Sequence, residues 1–184
     1  MRPGAEEQEK SPEEWQAHAK NLCLRWLGMR AHTRDELRNK LEAKGIPSAV
    51  SDSVLERFAE VKLIDDAEFA HAWARSRHQY AGKGKRAIAN ELRRKGVDDA
   101  DAQNALSTIS DEDERDRARE LVDKRLRSIA SVDWTDQREK QRIIQRLVGM
   151  LARRGYGPSI SYSVVTEALP HHGGASDGLL DEPF

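Results

Sequence analysis

Between Ala74 and Gly96 the chain reads ARSRHQYAGKGKRAIANELRRKG. This run sets eight cations, Arg75, Arg77, Lys83, Lys85, Arg86, Arg93, Arg94 and Lys95, against one acid, Glu91. Two helices joined by a glycine turn would present these charges to a phosphate backbone, with Tyr80 between them as a stacking surface. A solvated helical face also carries charge of this kind. Eight cations against one acid is lopsided enough to favour binding of phosphate or of an acidic partner. Secondary basic contacts are expected at Lys44, Arg153 and Arg154, beside two other glycines.

Catalytic chemistry is harder to assemble. Gly82 to Lys85 reads GKGK, but the GxxxxGK[ST] phosphate loop is absent and no strand signal precedes it, so nucleotide binding is rejected. Asp65 and Asp66 stand where a helix begins, and capping explains them better than metal binding or acid-base work. His71 and His78 have no carboxylate or cysteine at ligand spacing, and His171 and His172 lie near the end of the chain. Cys23, the single cysteine, sits in the apolar run LCLRWL and reads as a small core residue. No catalytic residue, metal ligand or cofactor is expected.

The elements that must carry the basic run are helical. Charged residues make up 34% of the chain and aromatics only 5%, which suits helices with narrow apolar stripes and solvated outer faces. Sheet signals are nearly absent. The formal net charge of −1 excludes a uniformly basic protein but leaves room for a local stripe. The acids of SDEDERDRARE, Ser110 to Glu120, suit the positive end of a helix dipole and could also face a basic patch on a partner. The polar, acidic start does not resemble a secretory signal, and no run of 18 apolar residues occurs, so a soluble cytoplasmic protein with no membrane contact is expected.

Helix boundaries are written in the capping residues. Ser11-Pro12-Glu13-Glu14 opens a helix whose Trp15, Ala19, Leu22, Cys23, Trp26 and Leu27 share one face. Thr33 with Glu36 opens a second, Pro47 starts a third, and Asp65 with Glu68 restarts the cycle. Three helix endings match when aligned on Gly45, Gly96 and Gly155, which lie 51 and then 59 residues apart. Eight residues before them stand Leu37, Ile88 and Leu147; four before, Leu41, Leu92 and Leu151; one after, Ile46, Val97 and Tyr156; ten after, Leu55, Leu106 and Val165. Lys44, Lys95 and Arg154 directly precede the glycines, where a cation also opposes the helix dipole.

The expected fold is therefore all-α, an elongated, curved tandem array of three three-helix modules over residues 11–62, 63–110 and 111–169. Disorder is expected at residues 1–10 and in an acidic tail over residues 170–184.

The stretch LIDDAEFAHAWARSRHQYAGKGKRAIANELRRKGV resembles the central signature of the RecX family, regulators of the bacterial recombinase RecA. Leu63, Asp65, Asp66 and Phe69 fit its Leu-Asp-Asp-x-x-Phe run, Arg77 its later arginine, Leu92, Lys95 and Gly96 its second helix ending, and Arg154, Gly155 and Tyr156 its Arg-Gly-Tyr. HTRDELRNKLEAKGI and LARRGYGPSISYSVV extend the likeness over roughly residues 12 to 169. One departure stands out: His78 to Lys83 replaces Arg-Gly-Tyr-Gly-Pro, so a longer or looser turn is expected there. The resemblance implies a non-enzymatic regulator, and the array of modules by itself leads us to expect a monomer. Such a protein binds the groove of the RecA filament on single-stranded DNA and restrains its ATPase, strand-exchange and coprotease activities. Without it, the residues alone also fit a helical-repeat nucleic-acid-binding protein that acts with no recombinase partner.

Overall fold

Local capping chemistry starts the helices where the sequence places them. The side chain of Ser11 accepts from the Glu14 N–H and opens α1 (Pro12–Leu27), while Thr33 and Glu36 form the reciprocal box that opens α2 (Arg34–Glu42). Helix α3 (Ser48–Glu60) begins one residue later than expected, because Pro47 is extended (ψ 139°) and serves as the N-cap. The Asp65 carboxylate accepts from the Glu68 N–H at 3.0 Å at the start of α4 (Asp66–Gln79). After α5 (Lys85–Arg94) and α6 (Asp99–Ser107), Ser110 and Asp113 cap α7 (Asp111–Arg127). Helices α8 (Gln137–Arg153) and α9 (Pro158–Ala168) complete the order.

The computed structural model describes residues 10–129 and 134–169, and among these residues every regular element is a helix. The expected disorder at the N-terminus, Lys10 apart, and in the tail falls on residues 1–9 and 170–184, outside the described residues.

All twelve positions aligned on the three glycines are buried, from Leu37, Ile88 and Leu147 at 0% exposure to Leu106 at 7%. The glycines share a left-handed conformation, with φ of 73°, 74° and 88° at Gly45, Gly96 and Gly155. The residue after each donates its N–H to the leucine four residues before the glycine, at 3.1 Å for Ile46, 3.2 Å for Val97 and 3.1 Å for Tyr156. The repeat is thus a repeated helix ending.

The chain forms two compact units, Met1–Trp73 with Glu91–Ala105 and Ala74–Asn90 with Leu106–Phe184, so α4 and α5 each contribute to both. In the first unit α1, α2 and α3 close on Cys23, Leu37, Leu41, Leu55 and Phe58. Burial pushes the Cys23 thiol up to about 11, as befits an inert core residue. In the second, α7 and α8 pack on α9 around Val122, Leu147, Leu151, Tyr156 and Val165.

Candidate basic surface and the junctions that divide it

Within the first unit, the end of α5 docks on the start of α2. The Thr33 hydroxyl donates to the Lys95 carbonyl at 2.6 Å, and the Lys95 ammonium donates to Glu36 Oε1 at 2.6 Å. That ammonium also lies 4.2 Å from the centre of the Trp73 ring, and Phe69 stacks on Trp73 at 5.6 Å. Burial raises the Glu36 carboxyl, but hydrogen bonds from Lys95 and Arg30 outweigh it and hold the group down at about 2. The Arg34 N–H at the head of α2 donates to Asp66 Oδ1 at 2.9 Å. A Cβ on Gly96 would fall inside the Asp35 side chain, so backbone approaches side chain there with nothing between.

The second unit holds a junction of the same plan. The end of α8 docks on the start of α5: Gly84 N–H donates to the Arg154 carbonyl at 2.9 Å and Arg86 N–H to the Gly155 carbonyl at 3.2 Å. A Cβ on Gly155 would collide with the backbone nitrogen of Ala87. The Lys85 N–H at the head of α5 donates to Glu114 Oε1 at 2.9 Å, and its ammonium pairs with Asp111 at 2.7 Å. Hydrogen bonding to Lys85 draws the Asp111 carboxyl below its usual range. Burial, in contrast, pushes the Tyr156 phenol up to about 12, and its hydroxyl donates to the Gly82 carbonyl at 3.3 Å.

These junctions sort the eleven basic residues singled out by sequence. Lys95 in the first unit, and Lys85 and Arg154 in the second, are half-buried and bound to the fold; the Arg154 guanidinium donates to the Ala81 carbonyl at 3.1 Å. Lys44, Arg93 and Arg94 in the first unit and Arg75, Arg86 and Arg153 in the second are exposed. Arg77 and Lys83 are half-buried around the departing turn, which is closed rather than loose: Lys83 N–H donates to the Arg77 carbonyl at 3.0 Å, and His78 Nδ1 lies 3.1 Å from the Lys83 carbonyl. Tyr80 is 84% exposed.

Sequence reasoning passed over three further cations. Lys124, Arg125 and Arg146 join Arg153 and Arg154 around a cavity of about 460 Å³ between α7 and α8. Their signal is faint in the sequence because they are spread over 23 positions and converge only when α7 and α8 pair. Among the described residues no group of three or more His, Cys, Asp or Glu side chains is arranged to hold a metal ion.

Fold and site together define a class: an all-helical chain of tandem three-helix domains that docks by repeated helix endings and carries exposed cations. Models of the RecX first and second three-helix domains match residues 19–58 and 65–106. The chain is 50% identical over 163 residues to regulatory protein RecX of Mycolicibacterium smegmatis, covering 89% of this chain and 86% of that one. It is 42% identical over 174 residues to the RecX of Amycolatopsis mediterranei, covering 95% of each. The crystal structure of RecX from Lactobacillus salivarius shares the fold, with a TM-score of 0.71 over 85% of this chain and 97% of that one at 22% identity. The chain belongs to the RecX family.

Proposed function

We propose that this chain is a non-enzymatic regulator that binds the RecA filament on single-stranded DNA and inhibits its ATPase, recombinase and coprotease activities. The observation that carries this reading is membership of a family of regulatory proteins at 50% identity over 89% of the chain. The exposure of Arg75, Arg86, Arg93 and Arg94 supports it, since these side chains lie where an anionic partner reaches them. On this reading the protein works as a monomer in the cytoplasm; no described helix is long and apolar enough to cross a membrane.

RecA's DNA-dependent ATP hydrolysis, titrated with this protein, tests the reading. A saturable fall in hydrolysis is expected. Unchanged hydrolysis at saturating protein would remove the recombinase from the account and leave a helical-repeat protein that binds nucleic acid by itself.

A further inference from the structure

The cavity between α7 and α8 is lined by Lys124, Arg125, Arg146, Arg153 and Arg154. Arg153 also lines a second cavity, of about 390 Å³, together with Arg86 of α5. No described carboxylate lines either cavity. Elsewhere on α7, Arg115 pairs with Glu167, Arg117 with Glu120 and Arg119 with Asp123. By contrast, Arg86, Lys124, Arg125, Arg146 and Arg153 make no ion pair with another described residue. Fixed like charges left together without counterions repel one another, and an external polyanion relieves that repulsion.

The spacing selects the anion. Arg146 and Arg153 lie seven residues apart on α8, about 10 Å along the helix axis. Arg153 then carries the charge over into the second cavity beside Arg86. A single phosphate group would draw cations to a point, whereas these are strung along a line. Half-buried Leu121 and Met150 form an apolar floor on which sugar and base faces can rest.

We propose that these two cavities form one binding track for the phosphodiester backbone of single-stranded nucleic acid, with Lys124, Arg125, Arg146, Arg153 and Arg86 as its phosphate contacts. The track rests on the regulatory reading only for its biological setting, because its test contains no RecA.

The test measures binding of a fluorescein-labelled oligothymidylate of about 30 nucleotides across a salt series, with circular dichroism of each protein. The variant combines Lys124→Glu, Arg125→Glu and Arg146→Glu; a control of equal net charge combines Lys20→Glu, Arg25→Glu and Arg57→Glu on the first unit. The track variant should bind at least about tenfold more weakly, with a log-log salt slope shallower by about 0.7 for each phosphate it no longer neutralises. The control should bind within about threefold of the unaltered protein. Equal losses in variant and control, no loss in the variant, or no binding by the unaltered protein would each overturn the track. So would competition by oligoglutamate of matched charge as strong as by unlabelled oligonucleotide, which would assign the cavities to an acidic protein segment. If the triple variant loses its helical signal, Arg146→Gln alone should still give the shallower slope, and an unchanged slope would overturn the proposal.

Discussion

The junction around Gly96 and the junction around Gly155 solve one problem with different atoms. Each lays a cation-glycine helix ending against the head of an earlier helix, and each supplies that head with a carboxylate, Asp66 for Arg34 N–H and Glu114 for Lys85 N–H. The Gly96 junction is held by side chains, through Glu36, Lys95 and the Trp73 ring. The Gly155 junction adds direct backbone-to-backbone bonds, from the N–H groups of Gly84 and Arg86. Gly45 has the same left-handed ending, yet a Cβ built there meets nothing within 4 Å. The glycine is therefore required twice over where a helix end docks, and only for its conformation where it does not.

The largest effects should follow from filling the docked glycines. Gly96→Ala and Gly155→Ala each combine a left-handed φ with a collision, and should cost about 3 to 5 kcal/mol in denaturant melts. Gly45→Ala should cost only about 1 to 2 kcal/mol, the conformational part alone. Equal costs at all three would erase the distinction between docked and undocked endings.

Leucines four residues before the glycines sharpen the comparison from the other side. Leu41, Leu92 and Leu151 are all fully buried, so alanine at each should cost roughly 2 to 5 kcal/mol whether or not its ending docks. A cost below about 0.5 kcal/mol at any of them would break the alignment on glycines.

Acid should separate the junctions next. Glu36 has its carboxyl held at about 2 in the fold, against an ordinary value of 4.5. Its contribution is fully present above about pH 4.5 and is lost as the pH falls toward 2. Glu36→Gln should therefore flatten the stability profile across that window, read by thermal melts at pH steps. An unchanged profile would mean that the Lys95 contact contributes nothing net. The smallest effect is expected at exposed cations: Arg75→Glu and Arg86→Glu should shift stability by no more than about 0.5 kcal/mol.

Much of this was legible in the sequence for a physical reason. Capping boxes and left-handed glycines are local, so Ser11, Thr33 and Gly96 announce their helices from neighbours within a few residues. The one-residue shift at Pro47 came from its extended ψ, which makes it a cap rather than a first turn. What could not be read was which cations the fold consumes. Lys85 and Lys95 look like Arg86 in the run, and only partners 26 and 59 residues away, Asp111 and Glu36, set them apart. The cluster of Lys124, Arg125 and Arg146 was hidden in the same way, since its members lie far apart in sequence until α7 meets α8.

The central claim is that the fold divides its cations between junctions and surface, and that regulation uses the surface set. RecA's DNA-dependent ATP hydrolysis, measured with Arg75→Glu/Arg86→Glu beside Lys85→Gln, tests this most directly, with circular dichroism reporting the folded fraction of each. The surface variant should stay fully helical and lose most of the regulatory effect. Lys85→Gln should regulate in proportion to its folded fraction. A folded Lys85→Gln that no longer regulates, beside a surface variant that regulates as the unaltered protein does, would contradict the account.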